Sequence, residues 1–327
     1  MTLLTFQKDA PSIPHPVSSA SWTRCNESPQ LTTTVPREYV HRSSLAEVFL
    51  TGYERIGDNV FALTGQWPRA HTFFTSADGR SHDPVQAGET IRQVGLFLCH
   101  AVYGVPLGHN VLLWSLDFTS DLAQLRIGAG PTELDLVATC TNFRWQGNRF
   151  SGFLHVSIRR NGCMAASGTA RFTCVPPSTY RRLRGERGPG AVVTPLERQT
   201  PIPPAAVGRL LPFDVVLAPS DRPGRWLLNP DLDHPILFEH ANDHHPGMVL
   251  VEAARQAACG LLPEGGFRPS GIATEFHSYA ELDEPCWVEA REAEAEPHPL
   301  MRSVEVTGRQ GGREVFSATV TGSVWDA

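Results

Sequence analysis

The feature that most constrains the fold is an internal repeat. Residues 71–93, HTFFTSADGRSHDPVQAGETIRQ, align without a gap on residues 234–256, HPILFEHANDHHPGMVLVEAARQ, at an offset of 163. Five positions are identical: His71 with His234, His82 with His245, Glu89 with Glu252, Arg92 with Arg255 and Gln93 with Gln256. All five are polar or ionisable, and the last three stand at i, i+3 and i+4, on one face of a helix. The second copy continues as an Ala-rich stretch, GMVLVEAARQAACG, small enough to be buried on every side. A polar helix face repeated in apolar surroundings reads as a tandem duplication of one module.

At 327 residues the chain has room for two such modules, each with its own core. Residues 1–34 are rich in Pro, Ser and Thr and read as a flexible leader. The stretch 176–206 combines prolines, glycines and an arginine cluster and reads as a linker. That leaves modules at 35–175 and 207–327. Each is expected to begin with a polar, partly irregular segment. A helix then follows, Pro84 to about Tyr103 in one and Gly247 to about Leu262 in the other, with Gly104 and Gly260 near the ends. Four alternating strands come next in each module, with turn residues at Gly147-Asn148, Asn161-Gly162 and Gly311-Gly312. One helix and an antiparallel meander, twice over, predict an α+β fold with each helix packed on a curved sheet.

Composition removes several chemistries. Of the 28 basic residues only Lys8 is a lysine, and it lies in the leader. Schiff-base, pyridoxal-phosphate and P-loop chemistry are therefore not expected, and any phosphate or carboxylate must be held by Arg or backbone N–H groups. The net charge of −6 argues against nucleic acid as a partner. No apolar run approaches the ~20 residues of a membrane helix. MTLLTFQKDAPSIPHPVSS has no basic leader and does not read as a signal peptide. Seven cysteines without a CxxC spacing suggest reduced thiols and a cytoplasmic setting. GAGPTE after Ile127 runs into Pro131 and a strand, no GxSxG elbow exists, and HANDHHPG (240–247) lacks an HExxH glutamate. Neither a metal nor a cofactor is expected.

Glu89 and Glu252 are the main candidates for chemistry. A carboxylate near a buried helix start can be tuned by burial and by a neighbouring Arg, and so serve as a base beside free helix N–H groups. The alternative is a buried Glu–Arg–Gln network that tightens the contact between modules, and both readings stay open.

FEHANDHHPGMVLVEAARQAA, VHRSSLAEVFLT (40–51) and ETIRQ (89–93) closely resemble the A-factor biosynthesis proteins, over about residues 33–327. The resemblance implies a double hotdog: two pseudo-two-fold-related modules, each a long helix wrapped by an antiparallel sheet. It implies an acyltransferase that moves a β-ketoacyl group from an acyl carrier protein to the hydroxyl of dihydroxyacetone phosphate. The ester then cyclises on the way to a butyrolactone, butenolide or furan signal. A more distant similarity to β-hydroxyacyl-carrier-protein dehydratases places a catalytic carboxylate on Glu252 and a catalytic histidine on His240. On this reading Glu252 or Glu89 is the base and amides around Gly247–Val249 polarise the thioester. Arg255 or Arg92 holds the phosphate, Gln256 and Gln93 orient the glutamates, and His244, Gly247 and Met248 line the substrate. Arg181, Arg182 and Arg184 are either a surface for the acidic carrier or an exposed linker, and a homo-oligomer is compatible with the reading. Module one has DPVQAGE where module two has HPGMVLVE, so one of the two pseudo-equivalent sites is expected to be degenerate. The rivals are a dehydratase or thioesterase on the same fold, and a non-catalytic acyl- or butyrolactone-binding protein.

Overall fold

The duplication reappears as a sheet that reads the same from either edge. A computed structural model of the chain describes residues 31–239, 242–262, 266–294 and 300–324. In the first module a hairpin, β1 (Leu50–Gly57) and β2 (Val60–Trp67), precedes helix α1 (Val85–Ala101). The meander β3 (Asn110–Ser120), β4 (Thr132–Gln146), β5 (Arg149–Arg160) and β6 (Cys163–Val175) follows. After a short helix α2 (Pro177–Arg184), the second module repeats the order: β7 (Leu217–Pro219), β8 (Arg225–Leu228), α3 (Gly247–Leu261), then β9 (Arg268–Phe276), β10 (Cys286–Glu292), β11 (Met301–Gln310) and β12 (Arg313–Ser323). Among the described residues the twelve strands form one antiparallel sheet, β1-β2-β4-β5-β6-β3-β9-β12-β11-β10-β8-β7. The halves join where Ser115–Thr119 of β3 pair with Gly271–Glu275 of β9. Residues from Thr33 on form a single compact unit.

Both helices and all eight meander strands lie where the sequence pattern puts them. The partly irregular segment before each helix also contains a hairpin, which the sequence pattern does not reveal. Asn59, at φ 57°, closes the β1–β2 turn, a conformation its short polar side chain tolerates. The leader, up to residue 30, lies outside the described residues.

Helices α1 and α3 sit against the sheet with little of their surface left to water. On α1 the side chains of Ile91, Val94 and Leu98 are fully buried, and on α3 so are Val249, Val251 and Ala254. Burying an Ile, Val or Leu contributes about 1.5–3 kcal/mol relative to exposure, so packing rather than helix propensity holds these helices. Gly88 lets α1 approach β3 closely, since a Cβ there would lie 2.6 Å from the Phe118 ring. The stretch 176–206 is docked rather than free: Leu196 and Ile202 donate backbone hydrogen bonds to Leu282 and Leu217. Arg184 is buried, against the exposed-linker expectation for the arginine cluster, whereas Arg181 and Arg182 are exposed.

Candidate active site

The repeated helix face builds two matching charge networks. Glu252 is fully buried and receives Arg209 on both oxygens, Nε to Oε1 at 2.8 Å and Nη2 to Oε2 at 2.6 Å. Arg255 completes the set at 2.9 and 2.8 Å, and Gln256 donates to Oε1 at 2.6 Å. Glu89 has the same partners one module earlier: Arg42 at 2.7 Å, Arg92 at 2.8 Å to each oxygen, and Gln93 at 2.8 Å. Burial alone would raise these carboxyls, but the paired guanidinium charges outweigh it and hold both down at about 2. The networks also cross between modules. Arg42 donates to the Ile236 carbonyl of module two, and Arg209 to the Phe73 carbonyl of module one.

The repeated histidines serve the same architecture. His71 bonds Glu47 at 3.1 Å while its Nδ1 accepts from Phe73 and Phe74 N–H. His234 does likewise with Asp214, Ile236 and Leu237. His82 and His245 are both buried with an unpartnered Nδ1, and burial pushes them down to about 4 and about 3.

The two networks differ in what lies over them. Above Glu252, Asp83 lies 3.4 Å from Arg209 and 3.9 Å from Arg255, and its other oxygen caps the start of α1 by accepting from Val85 N–H. Above Glu89 the corresponding chain is Pro246-Gly247, which has no carboxylate to cap α3, and Arg42 is paired instead with Glu239 at 2.9 Å. A cavity of about 890 Å³ opens there, between the modules. Its lining includes Arg42 and Arg92 on one side, Gly247 and Met248 at the start of α3, and Leu113 and Phe276 along its length. Neither Glu89 nor Glu252 lines it.

His244 also faces this cavity. Its Nδ1 lies 2.6 Å from Asp243 Oδ1, to which the Tyr180 hydroxyl donates at 2.8 Å. Burial opposes ionisation of Asp243, but the hydrogen bonds from His244 and Tyr180 and the Arg184 charge keep it well below the usual carboxylate range.

Residues 23–176 and 192–326 each match the profile of the A-factor biosynthesis hotdog domain. The chain belongs to the A-factor biosynthesis hotdog family. It is 47% identical over 295 residues to a Streptomyces virginiae protein named 2-oxo-3-(phosphooxy)propyl 3-oxoalkanoate synthase, covering 89% of this chain and 98% of that one. A Streptomyces coelicolor protein of the same name is 38% identical over 309 residues, covering 94% and 96%. Among solved structures, the 12:0-ACP thioesterase from Umbellularia californica superimposes with a TM-score of 0.51 at 12% identity, over 81% of this chain and 94% of that one. That likeness bears on the fold alone, and the fold is the tandem double hotdog of the family.

Within this family member the expected site residues divide into two groups. Arg92, His244, Gly247 and Met248 are brought together around the cavity. Glu252, Arg255 and Gln256 lie together in the closed network, with Arg255 donating its remaining bonds to Val207 O and Cys259 Sγ. Gln93 and Gln256 hold their glutamates while their own oxygens accept from Phe49 and Val216 N–H. His240 lies outside the described residues. Sequence reasoning missed Arg42 and Arg209. They stand in VHRSSLAEVFL (40–50) and VGRLLPFDVVL (207–217), a second matched pair at an offset of 167. Among the described residues no group of His, Cys, Asp and Glu could hold a metal, and no helix is long and apolar enough to cross a membrane.

Proposed function

We propose that the chain transfers a 3-oxoalkanoyl group from a carrier-protein thioester to the hydroxyl of dihydroxyacetone phosphate, giving the ester named in its relatives. The observation that carries the reading is the coincidence in one cavity of an uncapped helix start, a His–Asp pair and an arginine edge. We assign His244 as the acid–base group in place of the two glutamates. A carboxylate held at about 2 by two guanidinium groups, with five hydrogen bonds on Glu252, is too weak a base and has no free lone pair facing substrate.

Asp243 accepts the Nδ1 proton of His244, which leaves Nε2 to take the proton of the acceptor hydroxyl. The alkoxide oxygen bonds to the thioester carbon, and charge gathers on the former carbonyl oxygen. The Gly247 and Met248 N–H groups, at the open start of α3, suit that oxyanion. Collapse breaks the C–S bond, and the imidazolium returns its proton to the departing thiolate. Arg92 is locked by Glu89 through Nε and Nη2, and its Nη1 has no partner among the described residues. That edge suits the acceptor phosphate. The thioester carrier is acidic on this reading, and the exposed Arg181 and Arg182 stand beside Leu183, which lines the cavity. The reaction belongs in the cytoplasm with these substrates.

His244→Ala should lower transfer by about 10²–10⁴-fold while calorimetric binding of the phosphate acceptor persists. Turnover close to that of the unaltered protein would overturn the assignment.

A further inference from the structure

The stretch between the modules supplies more than a connection. Arg184, the last residue of α2, is buried, and its side chain makes four hydrogen bonds into the second module. Nε donates to Asp243 Oδ2 at 3.0 Å and Nη2 to the Asp243 carbonyl at 3.0 Å. Nη1 and Nη2 fork onto Glu281 at 2.8 and 2.7 Å. The guanidinium also covers the Tyr279 ring at 4.2 Å, and that ring packs edge-on against His244 at 4.8 Å. Tyr180, one turn earlier on α2, donates to the oxygen of Asp243 that holds His244. The imidazole is thus fixed by two groups, a carboxylate and an aromatic ring, and Arg184 touches both.

We infer that Arg184 is a positioning residue for His244, fixing Asp243 and Tyr279 so that the imidazole keeps the tautomer and angle that present Nε2 to the cavity. The inference rests on His244 being the acid–base group proposed above. The fork onto Glu281 fixes the guanidinium plane, and from that plane Nε and Nη2 reach Asp243, an arrangement a lysine cannot reproduce. The charge has a second effect. Arg184 stands between two carboxylates, Asp243 and Glu281, in a setting that also contains Tyr180, Tyr279 and His245, with Arg187 bridging Glu281 and Asp283 further out. Removing the Arg184 cation leaves the carboxylates uncompensated and stabilises the imidazolium of His244. Removing the Glu281 anion does the reverse.

The test is a titration of His244 by its ring ¹³Cε1 NMR signal, assigned by its loss in His244→Gln, together with the pH–rate profile of acyl transfer. Arg184→Met should move the His244 midpoint up, and Glu281→Gln should move it down. The limb of the rate profile that needs neutral imidazole should follow in each case. Arg184→Lys should restore the midpoint but not the full rate, because the charge returns without the fork. A scaffold role would lower the rate by one factor at every pH and leave the midpoint unmoved. Midpoints within 0.2 units, as an order of magnitude for no coupling, in both Arg184→Met and Glu281→Gln overturn the inference. Should Arg184→Met fail to fold, Glu281→Gln and Arg184→Lys still decide it. Should His244→Ala prove fully active, the acid–base assignment falls, and the NMR titration still reports whether Arg184 governs His244.

Discussion

Glu252→Gln separates a catalytic carboxylate from a structural one. The substitution is nearly isosteric, but it replaces an anion that accepts two arginines by a neutral amide whose NH₂ faces their N–H groups. Both guanidinium groups are almost completely buried and cannot turn to water. Breaking a buried pair by removing one partner costs about 3–5 kcal/mol. The proton linkage gives a similar figure: a carboxyl held at about 2 against an ordinary 4.5 corresponds to ~3 kcal/mol. Asp83, 3.4 Å from Arg209, offsets part of the loss, so ~3 kcal/mol is expected. For a domain of this size that is a fall in Tm of about 6–12 °C. Thermal unfolding followed by circular dichroism, beside acyl-transfer rates measured well below the new Tm, reads both consequences. The expected outcome is a large Tm shift with substantial retained turnover per folded molecule. An unchanged Tm with turnover lost would return Glu252 to the chemistry.

Acid should unfold the protein through the same networks. The folded carboxyls of Glu89 and Glu252 lie below their unfolded value, so their stabilisation is present above about 4.5 and is lost as pH falls toward about 2; urea midpoints should drop across that window, and midpoints flat down to the bottom of it would contradict the two pairs. Arg92→Met should raise KM for the phosphate acceptor about tenfold or more, since a charge-assisted bond contributes ~1.5–3 kcal/mol, and leave KM for the thioester donor unchanged; equal effects on both would remove the phosphate role. Arg181→Glu with Arg182→Glu should raise KM for a carrier-bound donor and flatten its salt dependence, but leave a small pantetheine thioester unaffected. An unchanged carrier KM would place the docking surface elsewhere.

Much of this fold was legible because its determinants are local or periodic. Helices α1 and α3 show their apolar faces and polar repeats directly, and the meander strands alternate between turns whose glycines take positive φ, such as Gly147 and Gly162. The hairpins before each helix were hidden by their unequal length. The first hairpin has two eight-residue strands, the second strands of three and four. A gapless alignment therefore finds Glu89 with Glu252 at an offset of 163 and loses Arg42 with Arg209 at 167. The site was legible in composition more than in geometry. His244, Gly247, Met248 and Arg92 were picked out, yet nothing in the helix face tells that both oxygens of Glu252 are already taken by an arginine 43 residues away. The difference between Asp83-Pro84 and Pro246-Gly247 was visible as a departure between repeats. Only the packed structure shows that Asp83 caps α1 over the Glu252 network, whereas the Pro246-Gly247 start of α3 lines a cavity. Arg184 could not be read as buried, because its partners Asp243 and Glu281 lie 59 and 97 residues on.

Acceptor dependence of thiol release is the most direct test of transfer to a phosphorylated acceptor. The protein would be mixed with a 3-oxoacyl carrier protein, with and without dihydroxyacetone phosphate, and both the free carrier thiol and the mass of the acyl product followed. Thiol release is expected only when the acceptor is present, matched one for one by its 3-oxoacyl ester. Release at the same rate without acceptor, giving the free acid, would make the cavity that of a thioesterase, and no release at any chain length would leave a binding protein.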